Sequence, residues 1–316
     1  MTNNIHNPFS IGDNGTIDRP AYHKIAPQLI KQTIAIALKE DLGRAGDITS
    51  RAIIPETATA QGAIRAREAG VLAGIDLAIA SFKMCAIDKK IELTQHKQDG
   101  NSFEAGDNIL DIAGPARPIL AAERVALNYI SHLSAIASLT RLYVEAVKGT
   151  KARICCTRKT TPHLRIFEKY AVRQGGGINH RFGLDDGILI KDNHIAVAGS
   201  VAKSVAAALA NMPSRNGYDK NKLGDMRVEV EVDRLEQVEE ALIAGAHIIL
   251  LDNMSLATLR EAVALIDGRA EIEASGGVEL KNVRAIAETG VDYISVGRLT
   301  HSVSNLDFGL DFDLSA

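Results

Sequence analysis

Six short apolar runs in the C-terminal half of this chain end in residues that a bare hydrophobic core would not choose. The run ending at Cys156 is followed by Thr157, Arg158 and Lys159, and the run ending at Ile190 by Lys191, Asp192, Asn193 and His194. A third carries Glu229 and Glu231, and a fourth ends at Asp252 and Asn253. The fifth ends at Ser275, Gly276 and Gly277, and the sixth at Gly297, with His301 just beyond. Lys191 and Glu231 follow or interrupt strongly apolar runs, where charge is costly unless paired or bound to a ligand. Glycines after a strand and before a helix let the backbone approach an anion that the helix N–H groups can hold. The same glycines also suit two tight turns. His180, Arg181 and Lys191, taken with Arg158 and Lys159, supply planar and point-charge donors for carboxylates or phosphates. They equally suit scattered surface charge paired with Asp185 and Asp186. The residues describe a pocket for a ligand with several anionic groups, one of them a phosphate. Glu231 and Asp252 suit ribose hydroxyls or Mg²⁺. They do not name the substrate.

The elements that must position these residues follow from periodicity. After about Lys148, strand-like runs alternate with amphipathic stretches: 153–156, 187–190, 227–232, 247–251, 271–274 and 293–296 as strands, with helices over 163–172, 201–211, 235–245, 255–266 and 280–290. Such alternation favours a parallel sheet, because each crossover needs a helix. Chemistry at successive strand ends favours a (β/α) barrel over an open sheet, with a phosphate site after the last two strands. Before it, a helical run from Pro118 to about Lys148 follows the Gly114-Pro115 boundary. The region 25–114 mixes helices at 25–42 and 71–85 with a strand at 59–67 and short strands over 91–112, an α+β unit with an antiparallel sheet.

The 316 residues suit two domains; 46% are hydrophobic and 24% charged, as in a globular protein. A net charge of −3 argues against a general nucleic-acid or membrane-surface binder. No apolar run approaches the roughly 20 residues that cross a bilayer. Cys85, Cys155 and Cys156 form neither a disulfide framework nor a metal-ligand spacing, which places the chain in a reducing cytoplasm. The polar opening of the chain lacks the apolar core of a signal peptide.

Several ordered motifs resemble one family. Cys156-Thr157-Arg158-Lys159-Thr160-Thr161-Pro162, then Glu168-Lys169-Tyr170-Ala171-Val172 and Gly175-Gly176-Gly177, look like quinolinate phosphoribosyltransferase. So do Asn179-His180-Arg181, Leu189-Ile190-Lys191-Asp192-Asn193-His194, Glu229-Val230-Glu231-Val232, Leu250-Leu251-Asp252-Asn253, Glu273-Ala274-Ser275-Gly276-Gly277 and Ser295-Val296-Gly297. Asp41-Leu42-Gly43, Gly46-Asp47-Ile48-Thr49 and Ala122-Glu123-Arg124-Val125-Ala126-Leu127-Asn128 extend the likeness forward, so that it covers nearly everything from about Ile25 onward.

The resemblance implies an N-terminal α/β sandwich, residues 23–126 joined by the C-terminal segment 302–316, and an incomplete seven-stranded (β/α) barrel over 127–301. One barrel strand is then unassigned and is expected just before or within the long helical region. Residues 1–22 form an extension, and Pro213–Met226 lengthens one helix-to-strand connection. The implied reaction joins quinolinate to phosphoribosyl pyrophosphate, giving nicotinate mononucleotide, pyrophosphate and CO₂. By the same resemblance Arg158, His180, Arg181 and Lys191 bind the quinolinate carboxylates. Arg124 joins them from the partner subunit of a homodimer. Lys159 lies near the phosphates. Glu231 and Asp252 contact ribose hydroxyls and Mg²⁺, the latter through the pyrophosphate. Ser275, Gly276, Gly277, Gly297 and His301 cradle the 5-phosphate. Alternation puts Glu229 and Glu231 on one face; spacing to Asp252 in the family selects Glu231. Three rival readings are a paralogue of the same fold acting on another anionic pyridine or a different phosphoribosyl acceptor, a Schiff-base aldolase with Lys191 as nucleophile and a phosphate-ligand binding module without turnover.

Overall fold

The computed structural model describes residues 24–87, 89–212 and 227–312; the expected extension 1–22 and the connection Pro213–Met226 lie outside them. In chain order the first elements are α1 (Pro27–Leu42), α2 (Ile48–Ile53), β1 (Thr59–Ala66), β2 (Gly70–Val71), α3 (Ile75–Cys85), β3 (Glu92–Gln95), β4 (Ser102–Phe103), β5 (Asn108–Pro115) and α4 (Ala116–Ala146). There follow β6 (Arg153–Cys155), α5 (Arg165–Gln174), β7 (Ile188–Ile190), α6 (Asp192–Ala198), α7 (Val201–Ala210), β8 (Val228–Val232) and α8 (Leu235–Ile243). The last are β9 (Ile248–Asp252), α9 (Leu256–Ile266), β10 (Glu271–Ser275), α10 (Val283–Ala287), β11 (Tyr293–Ser295), α11 (Arg298–His301) and β12 (Phe308–Phe312). They fall into two compact units. Among the described residues, one holds 24–87, 89–141, 166–176 and 302–312; the other holds 142–165, 177–212 and 227–301.

The first unit is built on a four-stranded antiparallel sheet of order β12-β1-β5-β3. In α1 the proline at the first turn needs no hydrogen bond there, and Ile30, Ile34 and Leu38, four apart, are the buried stripe. Helix α4 runs unbroken and is anchored here because Ile119, Ala122, Ala126 and Ile130 repeat along one face and enter the same core as Ile64, Phe82, Leu110 and Phe308. The glycines at 175–177 show what the sequence left open. A Cβ on Gly175 would meet the Ala137 carbonyl oxygen and lie 2.6 Å from Thr140 Cβ, while Arg141 Nε donates to the Gly175 carbonyl at 3.0 Å. Gly175 therefore serves close packing of the α5 terminus on α4.

The second unit is a six-stranded parallel sheet of order β6-β11-β10-β9-β8-β7. Its first strand in the chain, β6, lies beside its last, β11, as happens when a sheet closes on itself. The seventh strand is reduced to one bridge, Cys155 to Ile178, with Ile178 N–H donating to the Ile154 carbonyl at 2.9 Å. It therefore follows α5 and does not precede or enter the long helix; a single bridge carries no periodicity for a sequence to show. Among the described residues the segment at Ile178 and β7 do not pair, so the barrel is incomplete. Three short helices, α2, α6 and α11, also escaped the periodicity. Helix α2 depends on Asp47 Oδ1 accepting the Ser50 amide at 2.9 Å, and α6 begins directly at Lys191.

Candidate functional site

Parallel strands bring all six C-terminal ends of the second unit to one edge, and strict alternation decides which side chains face inward. Cys155, Glu229, Ile248, Glu273 and Tyr293 line a small cavity together with Ile178, Asn179, His180 and Arg181. Stepping two or four residues along the same strands, on the same face, gives Thr157, Glu231, Asp252, Ser275 and Gly297 at the strand ends. The register agrees. Ser275 lies opposite Asp252, and Ile190 opposite Val230, which sets Lys191 beside Glu231.

At the cavity level the interior is polar. Glu229 and Glu273 are 3% and 4% exposed. His180 Nε2 lies 3.0 Å from Glu229 and 3.7 Å from Glu273, and Ser295 Oγ donates to Glu273. The Arg181 amide donates to His180 Nδ1 at 2.8 Å, which makes Nδ1 the acceptor and leaves the imidazole proton on Nε2, towards Glu229. The buried Arg181 guanidinium donates through Nη1 to the Gly187 carbonyl at 2.9 Å. Asp186, offered by the sequence as a salt-bridge partner, accepts the Phe182 and Gly183 amides. The Cys155 thiol, enclosed beside Glu273, is pushed well above its ordinary pKa, first by burial and then by that charge. It is not a nucleophile.

At the strand ends the cations and anions interleave. Lys191 Nζ donates to the Glu231 carboxylate, and its backbone amide donates to His194 Nδ1 at 2.9 Å. The loop after β6 carries Arg158 and Lys159. Lys159 N–H donates to Thr157 Oγ1 at 3.0 Å, and Thr300 Oγ1 donates to the Lys159 carbonyl at 2.6 Å. Gly297 explains why this loop and α11 can meet: a Cβ there would sit 3.2 Å from His301 Nε2 and 3.3 Å from Lys159 Cδ. Gly276 has φ +89°, and a Cβ on it would overlap the Asn253 side-chain amide. Gly277, at φ +59°, has open space at that position. Arg158 Nε is buried and has no hydrogen-bond partner.

Arg124 is the one candidate residue that belongs to the first unit. It lies exposed on α4 in the first unit and makes no ion pair with Glu123 among the described residues. Burial pushes the Glu123 carboxyl up while Arg124 pulls it down. Arg158, Lys159, His180, Arg181, Lys191, Glu231, Asp252, Ser275, Gly276, Gly277, Gly297 and His301 all belong to the second unit.

For metals, His180, Glu229 and Glu273 have ligand-type atoms within 4.8 Å of one another, but in this structure they hold one another. Glu231 and Asp252 offer hard oxygen donors without a third protein ligand in a tight cluster among the described residues. That suits a divalent ion arriving with a polyphosphate and keeping its waters, not a dedicated cage.

Sequence reading overlooked Asn253 as more than a strand-end polar residue. It adopts φ +54° and its Nδ2 donates to Asp252 Oδ2 at 2.7 Å. No sequence signal marks a left-handed asparagine beside Gly276 and Gly277, a glycine pair far along the chain.

Residues 136–311 match the family described as Quinolinate phosphoribosyl transferase, C-terminal domain, and residues 47–134 match its N-terminal domain. A Bacillus subtilis protein named probable nicotinate-nucleotide pyrophosphorylase (carboxylating) is 43% identical over 277 residues, spanning 87% of this chain and 91% of that protein. A Mycobacterium leprae nicotinate-nucleotide pyrophosphorylase (carboxylating) is 43% identical over 284 residues, spanning 89% and 96%. The crystal structure of nicotinate-nucleotide pyrophosphorylase from Ehrlichia chaffeensis, 41% identical, superposes with a TM-score of 0.84 over 92% of this chain and 100% of that one.

Proposed function

The chain belongs to the quinolinate phosphoribosyl transferase family, and on that premise we propose that it converts quinolinate and phosphoribosyl pyrophosphate into nicotinate mononucleotide, pyrophosphate and CO₂, a step of de novo NAD biosynthesis. The observation in this chain that carries the reading is Arg158. A buried guanidinium donor without a partner costs free energy unless an acceptor arrives, and a carboxylate of a diacid meets it well.

Arg158, His180, Arg181 and Lys191 hold the two pyridine carboxylates, with the partner subunit's Arg124 completing the cluster in a homodimer. Arg124 is exposed and unpaired with Glu123, which suits a residue that serves another chain. Ser275, Gly276, Gly277, Gly297 and His301 cradle the 5-phosphate. The pyridine nitrogen attacks the anomeric carbon as the bond to pyrophosphate breaks. Glu231 and Asp252 stabilise the positive charge that develops on the ribose, and Lys159 meets the departing phosphates. Glu231 and Asp252 would hold Mg²⁺ arriving with the pyrophosphate, and the ion would neutralise the leaving group's charge. The ring nitrogen of the mononucleotide is then cationic and stabilises the electron pair left on the adjacent carbon as its carboxylate departs as CO₂, and a proton from water fills that position. Lys191 acts as a cation, not as a Schiff-base nucleophile, since it donates to Glu231. Three free cysteines support a reducing, cytoplasmic setting. Among the described residues no helix is long and apolar enough to cross a membrane.

The test is direct: the protein is incubated with quinolinate, phosphoribosyl pyrophosphate and Mg²⁺, and CO₂ and pyrophosphate are followed, with nicotinate as the control acceptor. Equal release of both products with quinolinate alone is expected. Binding of both substrates without pyrophosphate release would favour a module that kept the pocket and lost turnover.

A further inference from the structure

We infer that Asn253 is a positioning residue that ties the Asp252 carboxylate to the Gly276–Gly277 loop, so that the ribose and phosphate contacts form as one unit; the inference rests on the reaction proposed above. Three observations converge. Asn253 lies in the left-handed region at φ +54°, a conformation that non-glycine residues adopt at a cost and that asparagine tolerates better than most. Its backbone N–H donates to the Ser275 carbonyl at 2.9 Å, carrying the β9–β10 pairing one residue past the last strand position. Its side-chain Nδ2 donates to Asp252 Oδ2 at 2.7 Å. The conformation aims the amide back at the carboxylate of its own neighbour. On its other side the same amide fills the space where a Cβ of Gly276 would stand.

The chemistry follows from this geometry. The hydrogen bond occupies one oxygen of Asp252 and sets the plane of its carboxylate. Contact with Gly276 holds the loop at positive φ, where its amides can gather around a phosphate. A shift in either group is then felt by the other. Asn253 need not touch the substrate to influence turnover.

Two substitutions separate this from a role in folding. Asn253→Gly accepts the left-handed backbone at no cost but removes the amide. Asn253→Asp keeps the shape and tolerance of that backbone but replaces the N–H donor with a carboxylate facing Asp252. Partner residues that orient ligating groups cost about 10–100-fold in activity when removed. Both variants are therefore expected to lose that much in kcat/KM for phosphoribosyl pyrophosphate, with KM for quinolinate little changed and thermal stability within a few degrees of the parent. Wild-type kinetics in both variants would overturn the inference. Equal losses towards both substrates, parallel to a fall in stability, would overturn it too. If the parent turns over no quinolinate, the reaction itself falls. The inference is then judged by calorimetry with phosphoribosyl pyrophosphate alone: weaker binding in both variants supports it, and unchanged or absent binding in parent and variants sinks it.

Discussion

Replacing Gly276 with alanine tests whether the glycine pair after β10 is a ligand cradle or only a turn. Two costs can be read from the structure. At φ +89° an L-residue is strained by about 1–2 kcal/mol. The new Cβ would also overlap the Asn253 amide and stand 2.9 Å from the Asn253 backbone nitrogen. Asn253 cannot retreat freely, because its N–H is bonded to Ser275 and its amide to Asp252. Overpacking of that kind costs about 1–3 kcal/mol. The sum is about 2–5 kcal/mol. Part is relieved in the free protein by moving the loop, and the rest appears on binding as a loop that must be restored.

Even half of the lower figure, about 1 kcal/mol, weakens donor binding about fivefold, and 3 kcal/mol weakens it more than a hundredfold. Gly268→Ala is the control. It has φ +71° with open space around its Cβ, and it follows α9 at the opposite edge of the sheet. It carries the backbone strain alone, about 1–2 kcal/mol of stability, and none of the binding loss. Steady-state kinetics with phosphoribosyl pyrophosphate varied, with thermal unfolding of both proteins, makes the comparison. A Gly276→Ala enzyme whose KM for that substrate matches the parent, or a Gly268→Ala enzyme with the same kinetic defect, would refute the reasoning.

Arg158→Ala should remove about 2–5 kcal/mol of transition-state stabilisation by leaving a carboxylate without its partner, read as a fall in kcat/KM for quinolinate. Arg124→Ala should be inactive alone but recover part of its activity when mixed with Arg158→Ala subunits, because hybrid dimers hold one intact site; no recovery in confirmed hybrids would count against a shared site. In the first unit His132 Nε2 sits 2.9 Å from Glu168, and that hydrogen bond raises the His132 pKa above its ordinary value of about 6.5. A raised folded-state pKa stabilises fully below the unfolded value and is lost as pH rises through the folded one. The gap in melting temperature between parent and His132→Gln should therefore narrow above neutral pH and widen at pH 5.5. Asp99 is buried and accepts the Gly74 amide at 2.9 Å, the Ile75 amide at 3.1 Å and the Tyr170 hydroxyl at 2.7 Å. Asp99→Ala should thus cost at least about 2 kcal/mol in denaturant unfolding, since it orphans the start of α3.

What the sequence made legible was whatever repeats with a period. The stripe at Ile30, Ile34 and Leu38 and the alternation through Glu229 and Glu231 each announce an element and its buried face. Order along the chain then brings Arg158, Lys191, Asp252 and Gly297 to the ends of parallel strands without any knowledge of distance. Other features depend on partners far away in the chain. The bridge at Ile178 is one residue long, and β12 forms only because Phe308–Phe312 finds β1 about 240 residues earlier. Asp99 acts as the cap of α3 from 24 or 25 residues downstream, where no helix-start motif would show it. Three successive glycines in the sequence suit either a flexible or a closely approached backbone, and Gly175 is glycine because α4 passes against it.

The polar layer below the site bears on how a cluster of cations can be held in place before any anion binds. Lys191, Arg181 and Arg158 would repel one another and turn outward if nothing restrained them. Each restraint observed comes from a different direction. Glu231 holds Lys191 from the adjacent strand, and the Gly187 carbonyl holds Arg181 from the loop before β7. Below them, Glu229 and Glu273 occupy interior positions where a barrel of this kind would ordinarily place branched aliphatic side chains. Their hydrogen bonds to His180 and Ser295 fix the imidazole, and the imidazole accepts the Arg181 amide, so this acidic layer sets the backbone from which Arg181 projects. A buried ionic layer is poor value for stability but well suited to specifying one arrangement. Glu229→Gln should then leave the fold intact, because the amide oxygen still accepts from His180. It should nonetheless weaken quinolinate binding more than phosphoribosyl pyrophosphate binding, by calorimetry, as the cationic rim loses its counter-charge. Equal weakening of both ligands would mean that the layer supports the barrel as a whole and not the arginine above it.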